Sequence, residues 1–179
     1  MSLLYIAPDE FDAEYLCTPK TTVKIFLAGG ITNCKDWQSR TTAYLLDNVP
    51  EDNVWIYNPR RTDFDMNAGQ DIEVEQIAWE FRHLEEMDIF SMFFAASAHS
   101  VGPICLYELG RNVLRMQMRF PNDWQKRIVI GIEDGYLRAT DVKLQMAHAA
   151  PAIRVRTRCT PEMHGKRIAD AVNWLLDKG

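Results

Sequence analysis

Two carboxylates and three loops carry the residues with chemical potential. In Pro103-Ile-Cys-Leu-Tyr-Glu-Leu-Gly-Arg111, Glu108 falls in the first turns of a helix that begins just beyond a strand, Ile89 to Ala95, and a short loop, Ala96 to Gly102. In an open α/β sheet, ligands bind beyond the strand ends. The positive end of the helix dipole favours an ionised carboxylate there, and an ionised carboxylate at a crevice is a potential nucleophile. As the bland alternative, an acidic residue in a first turn simply stabilises its helix. Asp88, at the head of the same strand, supplies a second carboxylate; two at one crevice suit acid/base and nucleophile work at a sugar carbon. Taken alone, Asp88 reads as a helix-end solvating residue.

The first loop is Ala28-Gly-Gly-Ile-Thr-Asn-Cys-Lys-Asp-Trp37. Gly29 and Gly30 let backbone approach a ligand closely, Ile31 follows them, and Trp37 offers a face for stacking on a flat ring. This is no GxGxxG dinucleotide fingerprint. The second loop is Asn58-Pro-Arg-Arg61, whose Arg60 and Arg61 can fork onto carboxylate or phosphate oxygens or pair with the acidic segment Asp71 to Glu86. The third, Ala96 to Gly102, is a short loop of small and polar residues that leads into the Glu108 helix. His83, His99, His148 and His164 are isolated, and no spacing among them suggests a metal. No metal or cofactor is expected.

The elements that must position these residues alternate. Apolar runs at 23–28, 54–57, 89–95, 127–132 and 152–156 read as strands, the last with the alternating polarity of an edge. Helical spacing marks 35–48, with Trp37, Tyr44 and Leu45 inward, and 71–87, with Ile72, Gln76, Trp79 and Leu84. It also marks the Glu108 segment to about 120, where Leu106, Leu109, Val113 and Leu114 share a face, then 140–149 and a last helix capped by Thr160-Pro161. Five strands alternating with helices predict an α/β fold: a single flavodoxin-like (Rossmann-like) domain with a five-stranded parallel sheet and helices on both faces. The expected order is 2-1-3-4-5, with a crevice between the first and third strands. Residues 1–22 show no sustained period and read as an N-terminal arm; 23–179 form the domain.

A 179-residue chain with 47% hydrophobic and 25% charged residues buries an ordinary globular core. Its net charge of −5 with scattered basic residues argues against binding a nucleic-acid polymer. The four cysteines form neither a disulfide framework nor a zinc site, which favours a reducing, cytoplasmic setting. No membrane-length apolar run and no signal peptide are read, so no membrane partner is expected.

The motifs KIFLAGGITNCKDWQ, IYNPRR followed by F, QIAWEFRHLEEMDIF and PICLYELGR, in that order across 23–115, resemble the nucleoside 2-deoxyribosyltransferase-like family of transferases and nucleotide N-glycosidases. The resemblance implies a flavodoxin-like domain that cleaves an N-glycosidic bond, with Glu108 as the attacking carboxylate and Asp88 assisting the departing base. It carries Gly29, Gly30, Ile31, Asn58, Arg60 and Arg61 over to the base and sugar region. It further implies a small nucleoside or nucleotide as substrate and a homo-oligomer, a dimer or larger. The chain departs from the transferase pattern in lacking a carboxylate from Ala95 to Tyr107, where Ser97 and Ser100 suit a 5′-phosphate better than a free 5′-hydroxyl. It also lacks an aromatic C-terminal tail. A catalytically silent nucleotide-binding module and an oligomeric interaction protein are the competing readings.

Overall fold

The computed structural model describes residues 3–9, 22–50, 54–61 and 70–178. Six strands, β1 (Leu3–Ile6), β2 (Val23–Gly29), β3 (Val54–Asn58), β4 (Ile89–Phe94), β5 (Ile128–Ile132) and β6 (Val155–Thr157), form one parallel sheet in the order β1-β3-β2-β4-β5-β6. The helices are α1 (Trp37–Asn48), α2 (Gln70–Glu86), α3 (Pro103–Arg119), α4 (Ala139–Ala149) and α5 (Pro161–Leu176), with a 3-10 turn at Trp124–Lys126. This is an α/β fold consistent with a flavodoxin-like domain, and the central order is the expected one. The strand count is a correction, six rather than five. Part of the N-terminal arm is a strand, because Leu3–Ile6 extends the sheet beside β3, with Tyr5 opposite Tyr57 in register. Arm residues 10–21 lie outside the described residues.

The strand sequences explain the layers. In parallel sheets both faces are covered, so strands read as continuous apolar runs; β3, β4 and β5 are buried at every position. Alternate side chains feed opposite faces. Ile25, Leu27, Ile56 and Phe93 pack with Trp37, Leu45, Ile168 and Val172 of α1 and α5. Phe26, Ala28, Phe90 and Met92 pack with Trp79, Leu109, Val113, Met116 and Met146 of α2, α3 and α4. Burying each such large apolar side chain contributes ~1.5–3 kcal/mol. On α3 the expected face is partly corrected: Leu109 and Val113 are buried, whereas Leu114 is 58% exposed. Local caps fix where helices start. The Asp36 side chain accepts from the Ser39 N–H at α1, and Thr160 accepts from the Met163 N–H at α5.

Because β2 sends α1 to one face and β4 sends α3 to the other, their C-terminal ends diverge and leave a crevice at the switch point. The backbones there are very close. A Cβ at Gly29, whose φ is +151°, would lie 2.2 Å from the Phe93 carbonyl oxygen, so only glycine fits where β2 ends against β4. Among the described residues, no helix is long and apolar enough to cross a membrane.

Candidate functional site

The crevice, a cavity of about 240 Å³, opens at those two strand ends. Its size is at the small end for small-molecule sites. The floor is Phe26, Ala28 and Phe94. Gly29, Gly30, Ile31 and Thr32 form one lip; Ser100, Val101 and Gly102 form the other. Each lip has a local reason for its shape. Gly102 takes a left-handed conformation (φ +57°) directly before Pro103, the first residue of α3. Its N–H donates to the Ser100 hydroxyl at 3.0 Å, and the Tyr136 hydroxyl holds the loop by donating to the Val101 carbonyl at 2.7 Å.

Two carboxylates face this cavity: Glu108 from α3 and Glu80 from α2. Burial pushes the Glu108 carboxyl up to about 8; the Glu80 charge pushes the same way, and Arg111 only partly opposes them. Burial also raises Glu80, against a 2.7 Å hydrogen bond from the Gln76 side-chain amide. The expectation that the helix dipole keeps Glu108 ionised is therefore corrected. A dipole effect of ~0.3–1 kcal/mol is outweighed by desolvation of a carboxylate among Phe26, Phe94, Ile104 and Tyr136. Two thiols, Cys34 and Cys105, also line the cavity. Burial raises both, Cys105 to about 12, so neither is a thiolate nucleophile at neutral pH. Among the described residues no group of His, Cys, Asp and Glu is arranged to hold a metal ion.

The model of the nucleoside 2-deoxyribosyltransferase-like family matches residues 22–119. The chain belongs to this family. The matched span runs from the start of β2 to the end of α3 and so includes both lips and both carboxylates. No curated protein matches the chain.

Within this family framework, the residues singled out from sequence separate into three groups. Gly29, Gly30, Ile31, Ser100 and Glu108 come together at the crevice. Asn58, Arg60 and Trp37 stand one layer back and hold the first lip. The Arg60 guanidinium donates to the Gln38 side chain at 2.9 Å and to the carbonyls of Ile31 at 3.1 Å and Lys35 at 3.3 Å, and lies 3.4 Å from Asp36. The Asn58 side chain accepts from the Arg60 N–H at 3.0 Å. Trp37 is 2% exposed, packs on Phe93 and His164, and donates its indole N–H to the Gly30 carbonyl at 2.9 Å. It is a core side chain that fixes the glycine turn, not a stacking platform.

The third group is elsewhere. Arg61 pairs with Glu75 of α2 at 2.7 Å, as the alternative reading of that arginine has it. The Ser97 hydroxyl accepts from the His99 N–H at 3.1 Å and is not part of the cavity wall. Asp88 is the main correction. It precedes β4, whereas the crevice lies beyond the far end of that six-residue strand, a separation of roughly 20 Å at ~3.3 Å per residue. Its carboxylate instead accepts from the Lys24 N–H at 3.0 Å, and Asp88 donates its own N–H to the Lys24 carbonyl at 2.8 Å. The second carboxylate of the site is Glu80. A sequence signal for it exists: Gln76, Glu80 and Leu84 recur every four residues on the inward side of α2, so an acidic residue falls where core is expected.

Proposed function

We propose that the chain cleaves the N-glycosidic bond of a nucleoside or nucleotide through a glycosyl ester on Glu108, passing the sugar to another base or to water. One observation carries this reading: Glu108 and Glu80 face a single small, largely apolar cavity at the switch point of a fold whose family is built on such chemistry. Cleavage develops positive charge on the sugar, which a carboxylate stabilises best where water is excluded. Glu108, once ionised, attacks the anomeric carbon. Glu80, facing the same cavity, is the group that can pass a proton to a departing neutral base. The glycine lip offers backbone to the base edge, and Ser100 beside the start of α3 faces the sugar. Arg60, Asn58 and Trp37 hold that lip in place; they are positioning residues.

The test is free-base release from a panel of nucleosides and their 5′-monophosphates, followed by chromatography, with Glu108→Gln as the control. Release that vanishes in the variant supports the reading. Release that persists in it removes Glu108 as the nucleophile, and binding without release supports a silent nucleotide-binding module. A second base added to the reaction separates transfer from hydrolysis.

Homo-oligomerisation is part of the same proposal. On α3, Ile104, Tyr107, Leu114 and Met118 are 58–76% exposed, and they recur at the three-and-four spacing of a helix-packing seam. Ile77 and Phe81 of α2 are also exposed, and Arg111 of α3 stacks on Phe81 at 4.3 Å, so the two helices form one apolar face. We assign that face to a second copy. Light scattering that finds only monomer at micromolar concentration contradicts the assignment. The free thiols Cys34, Cys105 and Cys159 go with a reducing, cytoplasmic setting.

A further inference from the structure

The charge inventory of the crevice is one-sided. Its wall contains two carboxylates, Glu80 and Glu108, and among the described residues no lysine, arginine or histidine. The arginines that sequence places nearby are committed elsewhere: Arg60 to Gln38 and the carbonyls of the glycine lip, Arg61 to Glu75, and Arg111 to Glu85 at 3.0 Å. Aromatic rings complete the wall. Phe94 and Tyr136 pack with centroids 5.1 Å apart, and Phe26 lies on the same side of the sheet. Two desolvated carboxylates near aromatic rings, with no cation in the cavity wall and Arg111 only partly offsetting the charge of Glu108, form a receptor for a positively charged group. They are a poor receptor for a phosphate, which would bring further negative charge next to them.

We propose that the preferred substrate is a nucleoside whose base carries a fixed positive charge, such as an N-alkylated or pyridinium ring, and that has no phosphate. This inference rests on the N-glycosidic reading of the site and specifies its substrate class. The bound cation supplies countercharge to both carboxylates, so both ionise in the complex. The carbon–nitrogen bond then breaks with its electron pair passing to the ring nitrogen, which cancels the charge of the base. No proton is needed for that departure. A Glu108 oxygen closes the ester at the anomeric carbon. Water then attacks that carbon, Glu108 is released as carboxylate, and the proton lost by the water passes to Glu80 or to solvent. The net change is a cationic nucleoside and water giving a neutral base, a free sugar and one proton. Glu80 thus gives a proton when the base is neutral and takes one when the base is cationic.

The experiment uses a matched pair of probes on the full chain: nicotinamide riboside, whose pyridinium ring is cationic, and its 1,4-dihydro form, which is neutral and nearly the same shape. Binding is read by calorimetry and cleavage by base release. The 5′-monophosphate of the cationic probe and neutral purine and pyrimidine nucleosides of both sugars complete the panel. The expected result is binding of the cationic probe at least ten-fold tighter than that of its dihydro form, weakened by the 5′-phosphate. In Glu80→Gln the ratio falls toward one. Equal binding of the charged and neutral forms overturns the inference, as does a ratio unchanged in Glu80→Gln or a preference for the monophosphate. If neutral nucleosides are cleaved with no preference for charge, the inference fails and the N-glycosidic reading stands. If the cation binds selectively but no probe is cleaved, the charge selectivity stands and the N-glycosidic reading fails.

Discussion

Replacing Glu108 with glutamine should abolish turnover and make the fold more stable, by an amount that depends on pH. The carboxyl, half-buried by residue and facing an apolar cavity, titrates near 8 when folded against an ordinary value of 4.5. For a raised acid the sign is fixed: its contribution to stability is fully present below about pH 4.5, declines as pH rises, and is lost above about 8. Each pH unit across that interval changes stability by ~1.4 kcal/mol. At pH 7 the deficit relative to an uncharged side chain is therefore about 3 kcal/mol, and it levels off near ~5 kcal/mol in alkaline solution; both are upper values. Glutamine keeps the shape and cannot ionise. In a chain of this size ~1 kcal/mol moves Tm by ~2–4 °C, so Glu108→Gln should melt about 6–12 °C above the wild type at pH 7. The two should melt nearly together at pH 4. Thermal unfolding of both proteins at pH 4, 7 and 9 measures this. A Tm difference that does not widen with pH, or a variant less stable at pH 9, refutes the claim that Glu108 is held desolvated.

Three further substitutions separate the roles. Glu80→Gln removes the charge that helps raise Glu108, so the acidic limb of the kcat/KM profile should move to lower pH while kcat on neutral-base substrates falls ~10²–10⁴-fold. An unmoved limb would show that the two carboxylates are not coupled. Arg60→Ala cuts the ties from β3 to the glycine lip and should cost about 2 kcal/mol of stability and raise KM. Arg60→Lys should not restore either, because an ammonium cannot reach the same partners in one plane; recovery in the lysine variant would point to simple charge. Asp88→Asn should leave kcat/KM within about two-fold and lower stability by ~1 kcal/mol, since its partner is the Lys24 backbone. A loss of activity with unchanged Tm would return Asp88 to the chemistry.

The strand–helix alternation, the central strand order and the crevice were legible because apolar runs such as Ile25–Ala28 and Ile89–Phe94 have one physical use, a doubly covered parallel strand. β1 was not, because Leu3–Ile6 is four residues long at an edge, and its pairing with β3 depends on a partner some fifty positions away. The placement of Asp88 was recoverable in principle. In a parallel sheet, residues that precede a strand and residues that follow it lie at opposite edges, so Asp88 and Glu108 could not share a crevice. Trp37 and Arg60 were read by what their side chains can do, whereas the structure uses them on Gly30, Ile31 and Lys35. Which of several capable groups a side chain meets is set by packing between distant segments, and that has no local signature. The protonation of Glu108 depends on the same thing, since the local dipole and the distant desolvation act in opposite directions.

The central claim is a covalent bond between Glu108 and the sugar, and trapping it is the most direct measurement. A nucleoside with fluorine at the 2′ carbon destabilises positive charge on the sugar and slows turnover of the ester, so acid quenching followed by mass spectrometry of the whole chain and its peptides can capture the adduct. The expected result is a mass increase equal to the fluorinated sugar on the peptide containing Glu108, and none in Glu108→Gln. Base release without any adduct, or an adduct located on Glu80 or on Cys105, would contradict the account.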